Sequence, residues 1–196
     1  VGFALAGGLS RRMGRDKAQL PWGDSTLLDH ALDRLRAVAG EVAILAGAEP
    51  RYADRGVRVH LDTVAGAGPI GGLLAALEAL GGHGQALLLA VDLPLVPEEV
   101  LRLLVRRARG ADAAVPVTSR GPEPLCAVYG AACLGAVGAA VGDGRLAMTA
   151  FWTETRIRKV DEAELRRLGD PTRMFTNVNG PEDYAALAGV AGFRAP

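Results

Sequence analysis

Val1-Gly2-Phe3-Ala4-Leu5-Ala6, followed at once by Gly7-Gly8-Leu9-Ser10-Arg11-Arg12-Met13-Gly14-Arg15-Asp16-Lys17, is the stretch on which the reading of this chain turns. Its first six residues are uncharged and of strand length. A wholly apolar run of that length predicts a strand covered on both faces. The loop behind it is rich in glycine, which lets backbone N–H groups approach an anion because no Cβ stands between them. Arg11, Arg12, Arg15 and Lys17 add four positive charges within seven residues. Amides and cations delivered together from a strand tip suit a polyphosphate. The loop follows neither familiar glycine spacing. Gly8 comes directly after Gly7, which breaks G-x-G-x-x-G, and Lys17 lies three residues beyond Gly14 rather than next to it, which breaks the Walker pattern.

Working outward, similar runs recur at residues 42–46, 57–61, 86–91 and 113–117. Four of the five are uncharged. The exception, 57–61, alternates Arg58 and His60 with Val57, Val59 and Leu61, as a half-exposed strand near an edge does. Helical periodicity fills the gaps. Leu27, Leu28, Ala31, Leu32, Leu35 and Val38 share a face behind a Thr26 N-cap. Pro69 opens a helix that runs to Leu80, and Pro97 opens a third, with acids first, arginines last and Gly110 as its stop. Alternating strands and helices predict right-handed crossovers and one three-layer α/β/α domain, a parallel sheet covered by helices on both faces. The second half is less regular: strands at 124–129 and 155–160, helices at 131–141, 162–168 and 181–187. A nucleotide-binding half at 1–110 and an acceptor-binding half at 111–190 are expected within the single domain.

In such a sheet, ligands sit beyond the carboxyl ends of the strands. Two further loops should therefore open on the same edge as Gly7. One offers Asp62 and then Gly66-Ala67-Gly68-Pro69-Ile70-Gly71-Gly72; the other offers Asp92-Leu93-Pro94. A carboxylate at a rigid strand tip suits magnesium, which completes its shell with water and substrate phosphates. An Asx-turn or helix cap is the other reading of Asp92. Asp62 is expected to meet either the nucleotide or the acceptor. Near the C-terminus, Asn177-Val178-Asn179 puts two amides on one side of an extended segment, a second candidate binding element. His30, His60 and His83 share no spacing, and Trp22, just beyond the basic loop, is expected to be buried.

The bulk figures narrow the partner. The 196 residues carry 22 basic and 22 acidic side chains, a net charge of zero, which argues against nucleic acid and anionic membrane surfaces. Only Lys17 and Lys159 among the 22 bases are lysine, so Lys17 stands out as a compact point charge. Cys126 and Cys133 lack metal spacing and predict buried free thiols. With no membrane-length apolar run and no signal-like start, the expected compartment is the cytoplasm.

The ordered set Leu5-Ala6-Gly7-Gly8-Leu9-Ser10-Arg11-Arg12-Met13-Gly14 with Asp16-Lys17, Gly68-Pro69-Ile70-Gly71-Gly72, Asp92-Leu93-Pro94 and Asn177-Val178-Asn179-Gly180-Pro181 resembles the molybdenum cofactor guanylyltransferase family (MobA-like). The resemblance implies a Rossmann-like, mostly parallel sheet with helices on both faces, in a magnesium-dependent enzyme that joins GMP from GTP to the terminal phosphate of molybdopterin and releases pyrophosphate. It implies nucleotide contacts at Leu5, Ala6, Gly7, Gly8, Ser10, Arg11, Lys17, Asp62 and Gly68, and magnesium on Asp92. Catalytic roles fall to Lys17, Asp92 and Arg12, and acceptor contacts to Asn177 and Asn179. Partners would be GTP, the molybdenum cofactor and, transiently, cofactor-delivering proteins. The chain departs from the family pattern at Gly180, where a threonine is usual, and at Leu45-Ala46-Gly47-Ala48, which lacks an asparagine. Relatives that use CTP usually carry Leu-Ala-Ala-Gly, so the missing methyl at Gly7 is expected to leave room for a purine. Rival readings are a cytidylyl- or sugar-phosphate transferase on the same scaffold, and a non-catalytic nucleotide-binding regulator.

Overall fold

In the computed structural model, which describes residues 1–7 and 16–192, the run at the start of the chain is an interior strand of an eight-stranded sheet. The strands are β1 (Gly2–Leu5), β4 (Val42–Leu45), β5 (Arg58–His60), β6 (Gln85–Ala90), β7 (Ala113–Thr118), β8 (Gly121–Pro122), β9 (Cys126–Gly130) and β10 (Ile157–Val160). A separate two-stranded ribbon pairs β2 (Pro21–Trp22) with β3 (Ser25–Thr26). The order across the main sheet is β10-β7-β9-β6-β1-β4-β5, with β8 folded back on β7. All pairings along this path are parallel except those of β9, which runs antiparallel to both β6 and β7.

The helices are α1 (Leu27–Arg36), α2 (Pro69–Ala79), α3 (Glu98–Arg107), α4 (Leu134–Gly142), α5 (Glu162–Arg166), α6 (Pro171–Met174) and α7 (Pro181–Val190). Successive residues of a strand face opposite sides of the sheet, and β1 shows what covers each side. A Cβ on Gly2 would meet Leu35 of α1, whereas the side chain of Leu5 reaches the backbone of Gly72 in α2. The layers are therefore helix, sheet, helix. α1 starts where expected: Thr26 Oγ1 accepts from the Asp29 amide at 3.2 Å, and Asp29 Oδ2 accepts from the Thr26 amide at 3.3 Å. This reciprocal cap ties down two amides that have no partner inside the helix. α2 is buried from Ile70 to Leu77 because the sheet lies on one side and α4 on the other.

β1 is the point where the chain's path reverses. The connection through α1 leads to β4 on one side, and the connection through α2 brings β6 to the other. The carboxyl ends of β1 and β6 thus border a crevice that no crossover fills. Both sheet edges carry charge, Arg58 on β5 and Arg158 with Lys159 on β10, which discourages strand addition from outside.

Several expectations need correction. Pro97 caps the third helix, which begins at Glu98. Pro124 and Leu125 belong to a turn in which the Cys126 amide reaches the Glu123 carbonyl at 3.2 Å, so the strand begins at Cys126. The segment 131–133 is a 3-10 turn before α4, and 155–156 stays outside β10. The β2–β3 ribbon, turned by Gly23 (φ 62°) and Asp24, and the four-residue α6, capped by Asp170, were not anticipated. Both cysteines are buried and free.

Tyr129, at the end of β9, is fully buried and donates its hydroxyl to the Pro124 carbonyl at 2.8 Å. Tyr129→Phe strands that carbonyl and is expected to cost about 1 kcal/mol. The melting temperature should then fall by about 2–4 °C in a domain of this size, read by thermal melting; an unchanged melting temperature would show that the turn is not held by this bond.

Candidate active site

The crevice between β1 and β6 holds the residues that the sequence marked. Leu5, Ala6 and Gly7 come from one wall, Ala90, Val91 and Asp92 from the other, and Lys17 and Pro69 close the sides. The hollow they enclose is about 570 Å³ with its open mouth included. Lys17 begins the 3-10 turn Lys17–Gln19 and reaches across so that its Nζ lies 3.8 Å from Asp92 Oδ2. Segments 75 residues apart in sequence meet here because β1 and β6 are hydrogen-bonded neighbours, Leu5 opposite Ala90.

Asp92 is under electrostatic tension. Burial pushes its carboxyl above the ordinary carboxylate range, and Lys17 pulls it back. One oxygen has the lysine nearby. The other, Oδ1, is buried and has no hydrogen-bond partner among the described residues. Buried polar atoms are almost always satisfied, and an ionised carboxylate oxygen without a partner is costly. A hydrogen bond from the Asp92 amide to its own carboxyl, as a local turn supplies, also lowers its value, but no described residue bonds Oδ1. A hard divalent cation would satisfy that oxygen, and Asp92 with phosphate oxygens and water can supply the shell that magnesium takes. No cluster of three or more His, Cys, Asp or Glu stands among the described residues, so a metal here would depend on the nucleotide for its remaining ligands.

A second hollow, about 1180 Å³ with its mouth, shares Leu5, Gly7 and Pro69 with the first and continues past the end of β4. Its other walls come from Gly47, Arg51, Asp62 and Gly68 among others. The Asp62 amide reaches the Gly47 carbonyl at 2.8 Å, and burial raises the Asp62 carboxyl above its ordinary range. Gly71 and Gly72 open the first turn of α2 against it: a Cβ on Gly71 would lie 2.9 Å from Ala67 Cβ and 3.4 Å from Asp62 Oδ2, and one on Gly72 would lie 2.7 Å from Leu5 Cδ1. Gly68 has φ +67°, a backbone that favours glycine. The two hollows adjoin, the first bordered by Lys17 and Asp92 and the second, wider, by Asp62.

The expected role of the missing methyl at Gly7 is not what the geometry supports. A Cβ on Gly7 would lie 2.6 Å from the Gly47 amide nitrogen and 2.8 Å from its Cα. It would collide with backbone and not fill the space for a base. The Gly7 and Ala6 amides both donate to the Leu45 carbonyl at 2.9 Å, so the two loops are held in that close approach. An effect on base choice would have to travel through a displaced 46–48 segment.

The C-terminal asparagines reach the same edge. The Val178 amide donates to the Asp92 carbonyl at 2.9 Å, which pins Asn177-Val178-Asn179 beside the acidic residue. Val178 is fully buried, Asn177 half-buried and Asn179 exposed, as an extended segment requires. Gly180, in place of a hydroxyl residue, precedes α7, whose Asp183 accepts from the Asn179 and Gly180 amides at 3.0 and 3.2 Å. A small apolar cluster of Leu20, Trp22, Leu27, Val178, Tyr184 and Leu187 binds this segment to the ribbon that follows Lys17. Trp22 is buried in it, as expected, 6.5 Å from the Tyr184 ring. His30 Nε2 lies 2.9 Å from the Pro94 carbonyl, His60 meets Phe3 edge-on and His83 is exposed, so none enters the site. Gly8, Ser10, Arg11 and Arg12 lie outside the described residues. Asp16, which also lines the first hollow, stood in the quoted motif with Lys17 but was given no role, and nothing in the spacing pointed to Arg51 or Tyr52.

Comparison with known proteins agrees with this geometry. The family model described as the MobA-like NTP transferase domain matches residues 2–158. A probable molybdenum cofactor guanylyltransferase from Pelotomaculum thermopropionicum is 36% identical over 183 residues, 93% of this chain and 89% of the relative. A molybdenum cofactor guanylyltransferase from Desulfosudis oleivorans is 30% identical over 185 residues, 93% of this chain and 91% of the relative. The crystal structure of molybdopterin-guanine dinucleotide biosynthesis protein A from Archaeoglobus fulgidus shares the fold, with a TM-score of 0.82 over 96% of this chain and 97% of that one at 23% identity. The chain is a member of the MobA-like NTP transferase family.

Proposed function

We propose that this chain transfers GMP from GTP to the phosphate of molybdopterin or its molybdenum form and releases pyrophosphate. The observation that carries the reading is the meeting of Lys17 and Asp92, 3.8 Å apart, at the crevice where the Gly7 loop ends β1. The names of the full-length relatives support guanylyl transfer to that acceptor. In the reaction, an acceptor phosphate oxygen forms a bond to the α-phosphorus of GTP. The bond from that phosphorus to the oxygen bridging to the β-phosphorus breaks, and pyrophosphate leaves with the electron pair. No protein nucleophile is required, because a phosphate is already ionised at neutral pH. The work left to the protein is to hold two anions that repel each other, and to neutralise charge on the leaving group.

Each part of the site has a task in this scheme. Lys17, with Arg11 and Arg12, would hold the phosphates, and the amides near Gly7 and Gly8 would meet the nucleotide beside Ser10. Asp62 and Gly68 would border its nucleoside end, and Asn177 with Asn179 would meet the acceptor across Asp92. Asp92 would hold a divalent ion, magnesium in our reading; when bound, it supplies positive charge next to the phosphates. Residues 1–110 would supply the nucleotide half and 111–190 the acceptor half. No helix among the described residues is long and apolar enough to cross a membrane, which fits small soluble substrates met in the cytoplasm.

Asp92→Asn separates function from stability. The fold favours the neutral carboxyl, since its folded value is raised; that stability is lost as pH rises through the raised value, and at neutral pH the ionised form costs the protein. Asparagine imitates the neutral form. The variant is expected to melt no lower than the parent at pH 7, while GTP-dependent pyrophosphate release with acceptor present falls by a factor of about 100 or more. Retained turnover would contradict the role of Asp92. Gly7→Ala should destabilise the fold by about 1–3 kcal/mol through the clash with Gly47. Any change in the ratio of GTP to CTP affinity should accompany that loss. A changed preference with undiminished stability would restore a direct contact between the methyl and the base.

A further inference from the structure

Lys17 is carried on a single 3-10 turn, too short to fix a long side chain by itself, and the loop after β4 grips that turn on both sides. Asp16 is the link. Its Oδ1 accepts from the Ala18 amide at 3.1 Å, inside the turn. Its Oδ2 accepts from the Tyr52 hydroxyl at 2.7 Å and lies 3.3 Å from Arg51 Nη1. One carboxylate thus joins the lysine's turn to a loop 36 residues away. On the far side of Lys17, Gln19 Oε1 accepts from Arg55 Nη2 at 2.7 Å, and Arg55 is itself anchored on Asp29 at 3.1 Å.

Tyr52 is held for this contact at some conformational cost. Its φ of 68° is the only positive value at a non-glycine residue among the described residues. An aromatic residue keeps such a backbone only where its surroundings over-determine it. The ring is buried, with the Arg51 guanidinium 5.2 Å above its centroid. Burial first, then Asp16, hold the phenol well above its ordinary range, so it remains a hydrogen-bond donor to the carboxylate. The same loop faces the substrate: Gly47 and Arg51 line the wider hollow with Asp62, and Arg51 Nη2 donates to the Ala46 carbonyl at 3.2 Å.

We propose that Tyr52 is a positioning residue for nucleotide binding: through Asp16 it aims Lys17 at the phosphates, and it ties that aim to the loop lining the hollow for the base. This inference rests on Lys17 as a phosphate ligand, as proposed above. Tyr52 itself touches no reacting atom, so its effect must pass through Lys17, and a double-mutant cycle isolates that path. GTP affinity is measured by calorimetry with magnesium present on the parent, Tyr52→Phe, Lys17→Met and the double variant. Tyr52→Phe is expected to weaken GTP by about five- to tenfold, a part of what one hydrogen bond to a charged group is worth, because the bond acts on the aim of Lys17 and not on the phosphates themselves. The double variant should bind as Lys17→Met alone does. Losses that multiply, or an undiminished affinity in Tyr52→Phe, would overturn the proposal while Lys17→Met still weakens binding. If the parent itself fails to bind GTP, or Lys17→Met binds as the parent does, the reading of the site falls and the inference with it. Thermal melting checks that each variant is folded. Should Tyr52→Phe not be, Asp16→Ser serves in the same cycle, since its hydroxyl can still cap the turn but is too short to reach the phenol.

Discussion

A partly buried carboxylate, one of whose oxygens has no hydrogen-bond partner among the described residues, faces a lysine from another segment, and the molecule is organised around that constraint. Asp92 sits at the tip of β6, and the fold keeps it there although its Oδ1 makes no hydrogen bond among the described residues. Lys17 offsets part of that cost from 3.8 Å away. Isolated buried charges are expensive, and pairs repay the desolvation only when every lone pair is satisfied. Among the described residues the pair leaves Oδ1 unsatisfied. The arrangement becomes reasonable when a cation and a polyphosphate fill the crevice, the familiar compromise between stability and activity.

The rest of the domain serves to hold those two groups in register. The parallel pairing of β1 with β6 sets Leu5 opposite Ala90, so the glycine loop and Asp92 leave the sheet side by side. The reversal of chain path at β1 leaves their shared crevice uncovered. Gly71 and Gly72 let α2 sit close to Asp62 and Leu5, and Val178 fastens the asparagine segment to the Asp92 carbonyl. In the proposed reaction polar loops supply the chemistry while a nearly all-apolar sheet fixes their spacing.

Much of this was legible in the sequence, and the reasons are specific. β1, β4, β6 and β7 announced themselves because strands buried on both faces admit no charge, and β5 because Arg58 and His60 alternate with apolar neighbours at an edge. Asp92 stood out because it follows an apolar run on the same sheet edge as a basic glycine loop, although an Asx-turn or a helix cap fitted the residue by itself equally well. What the sequence did not disclose depends on directions and on distant pairing. The antiparallel sense of β9 leaves no mark on its own residues. The Cβ direction of Gly7, toward the Gly47 backbone and away from the hollow, follows from how two loops meet, so the purine-space argument missed it. The contacts of Tyr52, Arg51 and Arg55 join segments about 35 residues apart that share no periodicity. The β2–β3 ribbon did carry a signal, Gly23-Asp24 between short extended pairs, too brief to read with confidence against its surroundings.

The central claim is that Lys17 and Asp92 grip one polyphosphate. A crystal structure of the protein with a GTP analogue that resists α,β cleavage and with manganese in place of magnesium tests it most directly. The account predicts an anomalous peak within coordination distance of Asp92, with the nucleotide phosphates between that ion and Lys17. A nucleotide bound away from the β1–β6 crevice, or an ion that leaves Asp92 uncoordinated, would contradict it.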